Sequence, residues 1–290
     1  MTEIDSDIDE KLSLSRRRRC GIFRHVRAAF YIELLLLLVV APIPATGVRA
    51  AETNWLDIES RIQYAYFTED TRSLHNLVEP LATNDSHDRL KSYYAGLLAY
   101  RLTLLAAPQQ QPSADRRPQP AGKNDHSKDE ARQSVERCVS SLDQALQAQS
   151  NFADALALQS ACLQMLSDLS SWRAPLAGPR STSQIHRALA LAPRNPRVLL
   201  LEAIGDYEHP KSSAALSCGK FKSVAEVFER ERADVDQVPG WGAAEAYTWL
   251  GRCYLDSGDG NAARDALERA LLIAPEYGQA RRLLATITSG

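Results

Sequence analysis

Cysteine is the residue type with the clearest chemical options in this chain. Four of the five cysteines lie in its second half or just before it, at Cys138, Cys162, Cys218 and Cys253. None belongs to a C-x-x-C pair, so their spacing supports neither a zinc ribbon nor a thioredoxin-type redox site. If two antiparallel helices turn near residue 150, Cys138 and Cys162 stand level and a disulfide between them is one hypothesis. Burial as small apolar side chains is the alternative for Cys162 and the expectation for Cys253.

Catalytic chemistry has little other support in the sequence. Cys218, in the pentapeptide SCGKF, is expected in a loop, where it is either a reactive thiol or incidental. The sequence holds no H-E-x-x-H pair, no G-x-S-x-G turn and no phosphate-binding glycine-rich loop, and its six histidines are scattered. We therefore predict no enzyme activity, no metal and no cofactor. The enzymatic alternative is an envelope hydrolase or thiol-dependent factor that uses Cys218 or an inserted loop.

The N-terminal segment predicts export. A basic flank that includes Arg16 to Arg19 precedes a short apolar core, Leu34 to Ala41, and the sequence Val48-Arg49-Ala50 has small residues where a signal peptidase cleaves. We expect residues 1–50 to be a signal peptide and residues 51–290 to be a periplasmic or otherwise exported domain. The alternative is an uncleaved anchor in the inner membrane with the same outward orientation, which would make the protein a membrane-anchored assembly factor and would be its only membrane association.

The charge of the mature domain restricts its partners. Removal of residues 1–50 leaves 26 Lys and Arg against 30 Asp and Glu (34 less 8, and 36 less 6). A mildly acidic balance argues against nucleic acid or an anionic membrane surface as the partner.

Residues 244–277 carry the most informative pattern. Small residues stand where two antiparallel helices must touch, apolar residues recur every three or four positions, and a glycine and a proline follow the helices. The positions are Tyr247, Leu250, Gly251, Tyr254, Gly258, Ala263, Leu267, Ala270 and Pro275. This 34-residue pattern resembles the tetratricopeptide repeat, and the whole chain resembles exported bacterial proteins that carry it.

A single repeat cannot bury its own apolar face, so neighbouring repeats are expected. Weaker copies predict first helices at residues 153–166 and 196–208, helices upstream at 53–80 and 87–106 with Ala95 at a helix contact, and a last helix at 277–288. Residues 108–128 are rich in proline and glutamine and predict a solvated loop. No stretch alternates with period two, so we predict an all-α fold, a solenoid of about five helix pairs and a final helix.

The resemblance also implies a concave groove lined by the first helix of each pair, in which a protein or peptide partner lies. The implied groove residues are Asp154, Ala157, Ala161, Arg197, Leu200, Ile204, Tyr207, Glu245, Thr248, Arg252, Gln279 and Arg282. The Lys and Asn cluster with which some family members grip a terminal carboxylate does not occur here. The residues instead predict an apolar floor with a basic end, or else core contacts displaced by the inserted loops.

The function predicted from the sequence is therefore an exported protein-interaction scaffold. The identity of the partner and the oligomeric state do not follow from the sequence.

Overall fold

A computed structural model describes residues 54–82, 88–107, 121–170, 172–208, 214–231 and 239–288. The predicted signal segment and residues 108–120 lie outside these ranges. Every regular element in the described ranges is a helix. The helices are α1 (Trp55–Phe67), α2 (Thr71–His75), α3 (Val78–Leu81), α4 (Arg89–Ala106), α5 (Ala121–Ala148), α6 (Ala153–Leu169), α7 (Ala174–Leu191), α8 (Pro196–Glu208), α9 (Ala214–Glu231), α10 (Ala243–Asp256), α11 (Gly260–Ile273) and α12 (Gly278–Thr288).

The helices pack as consecutive antiparallel pairs. α4 packs on α5, α6 on α7, α8 on α9 and α10 on α11, while α12 packs on α11 as a final helix. The first pair consists of α1 and the two short helices α2 and α3. This arrangement confirms the predicted all-α stack of about five pairs and a last helix.

Local sequence signals set the ends of these helices. Asn54 accepts a hydrogen bond from the backbone N–H of Asp57, and Asp88 and Asp259 cap α4 and α11 in the same way. Glu69 has a positive φ of 57° and separates α1 from α2. The second helix predicted for residues 53–80 is instead two short helices, α2 and α3.

Two glycines show how closely the paired helices approach. A Cβ atom on Gly251 would lie 2.6 Å from Cγ of Leu267 and 3.3 Å from the carbonyl oxygen of Ala263. In the pair α4–α5, a Cβ atom on Gly96 would lie 2.7 Å from Cγ of Leu142. The small residue that permits contact in this pair is therefore Gly96 and not Ala95, the neighbour that the sequence favoured.

The contact at Gly251 gives a direct stability prediction. We expect Gly251→Val to lower the free energy of unfolding by about 1–3 kcal/mol, because the added atoms overlap Leu267 on the facing helix. The measurement is urea unfolding followed by circular dichroism. Gly219→Val is the matched control, since a Cβ atom on this α9 glycine meets no atom within 4 Å. Equal stability of the two variants would contradict the close packing.

Two disulfides join neighbouring pairs. Cys138 on α5 is bonded to Cys162 on α6, with their Cα atoms 6.3 Å apart, and Cys218 on α9 is bonded to Cys253 on α10, with a Cα separation of 5.5 Å. In both cases the second helix of one pair is linked to the first helix of the next pair. The disulfides therefore connect one repeat to the next and do not close individual hairpins.

Two sequence expectations differ from this structure. The predicted loop 108–128 ends early, because α5 already begins at Ala121. Cys218 lies within α9 and not in a loop, and it is buried and bonded to Cys253 instead of presenting a thiol. The second difference arises because the helix is fixed by Phe221, Val224 and Phe228, whose buried side chains share one face.

Candidate partner-binding groove

The stack curves until its first helix meets its last pair. The phenol oxygens of Tyr66 on α1 and Tyr277 before α12 are 3.4 Å apart. The Arg282 guanidinium on α12 lies 2.5 Å from the carboxylate of Glu69. The two ends of the described helical domain are therefore in contact, and the first helices of the pairs surround a central space.

The Pro239–Gly242 turn strengthens this closure. The indole N–H of Trp241 donates to the phenol oxygen of Tyr93 at 2.8 Å, and the N–H of Gly240 donates to the Glu59 carboxylate at 2.9 Å. Tyr94 also donates to Glu59, at 2.7 Å. Burial raises the pKa of Glu59, against the opposing effect of these hydrogen bonds. Trp241 thus packs against α4.

A buried ion pair lies at the centre of the closure. Arg101 on α4 and Glu245 on α10 pair directly, and both side chains are almost completely buried. The Arg101 guanidinium carbon also lies 4.2 Å from the ring centroid of Tyr66 and 4.9 Å from that of Trp241. Burial is the largest single effect and lowers the pKa of Arg101, but the Glu245 carboxylate and the nearby tyrosines together outweigh burial, so this pKa lies above its usual value.

The hydrogen bonding of this cluster is incomplete. Gln63 donates to the Glu245 carboxylate at 3.1 Å. Within the described ranges, Nε of Arg101, Oε2 of Glu245 and Oε1 of Gln63 are buried without a hydrogen-bond partner. Each charge therefore depends mainly on the other, and loss of either would leave an uncompensated charge in the interior.

Next to this cluster the concave surface forms a groove of about 1270 Å³. Its walls come from α1, α4, α6, α7, α8, α10 and α12. Trp249 stands in one wall, with the Arg252 guanidinium 5.2 Å from its ring centroid. The wall is largely apolar. Its larger apolar residues are Leu104, Leu105, Met165, Leu169, Ile185, Leu189, Leu200, Leu201, Ile204, Trp249, Leu255 and Leu283. The dimensions and the apolar wall suit a segment of polypeptide.

The charged residues of the groove are mostly acidic. Seven carboxylates in the lining stand against three arginines, Arg101, Arg252 and Arg282. The carboxylates are Glu69, Asp168, Glu202, Asp206, Glu208, Glu245 and Asp256. Arg252 and Arg282 do lie in the lining as the sequence predicted, but the expected basic end is outnumbered by acidic side chains.

Two of these carboxylates share one rim of the groove, where α6 and α8 end. Desolvation raises the pKa of Asp168. The hydrogen bond from Gln164 lowers this pKa, but desolvation is the larger effect. Desolvation also raises the pKa of Glu208; the nearby Arg252 opposes this and the charge of Asp168 adds to it. The two carboxylates therefore repel each other across the rim.

A family model described as tetratricopeptide repeat matches residues 219–287, which run from α9 into α12. Residues 219–287 form a tetratricopeptide-repeat segment. The match includes the whole of the pattern at 244–277, so the resemblance is confirmed for this part of the chain.

The other comparisons give weaker results. No curated protein matches the chain. Among solved structures, the thermophilic TPR protein TTC0263 of Thermus thermophilus is 14% identical, with 82% of this chain and 100% of that chain covered and a TM-score of 0.48. The Assembly Chaperone of RpL4 (Acl4), residues 1–338, is 13% identical, with 82% and 96% covered and a TM-score of 0.27. Neither is similar enough to support an argument about function.

The structure brings seven of the twelve predicted groove residues into the lining. They are Ala161, Leu200, Ile204, Glu245, Arg252, Gln279 and Arg282, and the last four belong to the tetratricopeptide-repeat segment. Their role in binding a partner remains a prediction.

The other five predicted residues lie elsewhere. Arg197 donates to the Asp154 carboxylate at 2.7 Å, and it also pairs with Glu231 of α9, so this pair joins neighbouring repeats. Ala157 and Thr248 are buried in the core, and Tyr207 packs against aromatic rings. These five residues lie outside the groove lining, as the alternative prediction of core contacts expects.

The sequence interpretation missed the residue at the centre of the closure. Arg101 stands among apolar residues in the stretch LLAYRLTLLA, and a single charge in such a stretch signals a buried, paired group. It also missed the groove residues of α7, since this helix was not expected to reach the concave surface. None of the described helices is long and apolar enough to cross a membrane, and the described residues hold no cluster of three metal-ligating side chains.

Proposed function

We propose that this protein is an exported scaffold that binds a segment of a partner protein in the groove. The observation that carries this proposal is the groove itself, a concave space of about 1270 Å³ with a largely apolar wall from seven of the described helices. This volume exceeds the roughly 300–1000 Å³ of pockets for small ligands, and a partner segment would bury the apolar wall. The tetratricopeptide-repeat segment supports the same function, because stacked helix pairs present such concave surfaces to other proteins.

Export is supported by the cysteines as well as by the N-terminal sequence. All four cysteines of the predicted mature domain are paired in disulfides, and such bonds persist mainly in oxidising compartments. Retention of Leu34–Ala41 as a membrane anchor would leave the same groove facing the same compartment; N-terminal sequencing of the exported protein distinguishes this form. The thiol-dependent alternative is disfavoured, because the sulfur of Cys218 is bonded to Cys253.

Photo-crosslinking in the cells that make the protein tests the groove. A benzophenone side chain at Ile185, on the groove wall, is expected to form a discrete adduct with one partner, whose crosslinked segment is then identified by mass spectrometry. The same side chain at Leu272, which is 82% exposed on α11 and lies outside the lining, is the control and should not capture this partner.

Two tryptophan variants sharpen the test. Gly205 lines the groove and Gly219 lies on α9 outside it, and a Cβ atom at either position meets no atom within 4 Å. Gly205→Trp should therefore fill the groove without unfolding the protein and abolish the adduct at position 185, whereas Gly219→Trp should preserve it. An adduct that survives Gly205→Trp, or that forms equally at Leu272, would refute binding in the groove.

A further inference from the structure

We propose that the groove selects a partner segment that combines apolar side chains with lysine or arginine. This inference rests on the proposed function and concerns the chemistry of the bound segment. Its first support is the charge of the lining, in which seven carboxylates stand against three arginines in the described residues.

Most of these carboxylates already have a cation or a donor within the protein. Glu245 pairs with Arg101, and Glu69 pairs with Arg282. In addition, Lys220 pairs with both Glu202 and Asp206, and Tyr207 donates to Asp256. The remaining negative charge is thus concentrated on Asp168 and Glu208, at one rim.

Within the described part of the chain, Asp168 and Glu208 form no ion pair of the kind that neutralises the other carboxylates of the lining. Asp168 accepts a hydrogen bond from Gln164 at 3.2 Å, and neither carboxylate forms an ion pair with another described residue. Arg252 is the cation that influences Glu208, and it also lies over the ring of Trp249. Both carboxylates stand at helix C-termini, where the helix dipole adds partial negative charge. A cationic side chain of the partner would relieve this local excess of negative charge.

Exposed apolar side chains lie in the stretches of chain that follow these two carboxylates. Trp172 is 72% exposed, Leu176 is 80% exposed and Leu216 is 76% exposed. Because paired helices are antiparallel, Trp172 and Leu176 lie beside the end of α6 that carries Asp168, and Leu216 lies near the end of α8 that carries Glu208. Arg173 in this region is paired with Glu136 at 3.2 Å, so it does not neutralise the rim. Exposed apolar side chains therefore lie near both acidic helix ends, outside the lining of the groove.

A segment that matches this surface carries apolar side chains into the groove and places a basic side chain at the rim. Acidic segments would meet like charge at Asp168 and Glu208, and purely polar basic segments would leave the apolar wall exposed. Charge complementarity therefore gives selectivity, while the apolar wall supplies most of the contact area.

Peptide binding by the purified protein tests this inference. The probes are three fluorescent peptides of about 12 residues, which span about 18 Å as helices. One is built from leucine and lysine, one from leucine and glutamate, and one from serine and lysine. We expect only the leucine–lysine peptide to bind, and we expect Gly205→Trp, but not Gly219→Trp, to abolish its binding.

The rim is tested by neutral replacement of its carboxylates. Asp168→Asn with Glu208→Gln should weaken binding of the leucine–lysine peptide about tenfold, from the loss of two partly exposed charge contacts. The matched control is Asp265→Asn with Glu268→Gln on the exposed face of α11, outside the lining, which should leave the affinity unchanged. Circular dichroism checks that both double variants are folded.

The outcomes separate this inference from the proposed function. If the leucine–glutamate peptide binds instead and Gly205→Trp blocks it, the groove is a binding site but its charge selectivity is opposite to the one inferred. Equal loss of affinity in the α11 control would also overturn the role of the rim. If Gly205→Trp changes the binding of none of the peptides, the inference is wrong, and crosslinking at Ile185 independently decides whether a partner protein occupies the groove.

Discussion

Arg101→Met is expected to lower the free energy of unfolding by about 3–5 kcal/mol, one of the largest effects of any single substitution in the helical domain. The substitution keeps an apolar side chain of similar length beside Tyr66 and Trp241. It leaves the Glu245 carboxylate buried, with the Gln63 amide as its one remaining hydrogen-bond donor among the described residues. The cost is therefore the burial of an uncompensated charge.

A double-mutant cycle identifies this cause. Glu245→Met alone should also destabilise, but by less, because the Arg101 guanidinium keeps its contacts with the Tyr66 and Trp241 rings. Arg101→Met with Glu245→Met should recover most of the stability, because no buried charge is left without a partner. The free energies come from urea unfolding of each variant.

An exposed ion pair provides the control. Arg132 pairs with Asp129 on α5, and both side chains are about half exposed. Arg132→Met should change the free energy of unfolding by less than about 1 kcal/mol. Additive losses in the double variant, or a loss at Arg101 no larger than at Arg132, would show that the ion pair does not hold α4 and α10 together.

Removal of either disulfide is expected to cause the second large loss in the free energy of unfolding. We expect Cys138→Ala with Cys162→Ala, and separately Cys218→Ala with Cys253→Ala, to lower the free energy of unfolding by about 3 kcal/mol each. The bonds close loops of 24 and 35 residues in sequence separation, and a loop of this length restricts the unfolded chain by about that amount. Urea unfolding of the oxidised protein and the two variants measures the loss.

Reduction of the natural protein supplies an independent check. A strong thiol reductant should shift the urea midpoint of the unchanged protein toward lower concentrations, and it should shift each disulfide variant by a smaller amount. Variants that unfold at the same urea concentration as the natural protein, together with a natural protein insensitive to reductant, would show that these cysteines are not bonded in solution.

The sequence predicts the helix pairs well because their signals are local. Gly251 on α10 and Leu267 on α11 lie on helices that a single turn connects. The contact between them is encoded by the sizes of residues at a fixed spacing in the sequence. Pro196 begins α8 at the residue that the spacing indicates, and Asn54 caps α1, a role typical of asparagine. Fold class and most helix positions therefore follow from periodicity, caps and small residues.

The closed shape could not be predicted in the same way. Arg101 and Glu245 lie 144 residues apart, and their contact depends on the accumulated angles between all intervening pairs. Small changes in those angles, together with the turn that carries Trp241, decide whether the first helix reaches the last pair. Asp154 and Arg197, which the resemblance assigns to the groove, instead pair with each other between neighbouring repeats.

The α9 helix shows a different limit. Ser217, Cys218 and Gly219 together resemble a loop, because serine and glycine are poor helix formers. The structure nevertheless places them in a helix, since burial of Phe221, which is fully inaccessible to solvent, stabilises it more than these residues disfavour it. Tertiary packing in this case outweighs local propensity, and the second disulfide was missed for that reason.

Methyl NMR detects directly whether a partner segment lies in the groove. The protein is labelled at isoleucine methyl groups and titrated with the segment captured at position 185, prepared as a synthetic peptide. Ile185 and Ile204 line the groove, whereas Ile273 on α11 lies outside it. We expect the methyl signals of Ile185 and Ile204 to shift while that of Ile273 stays in place. A shift at Ile273 with the two groove signals unchanged would show that the segment does not bind in the groove.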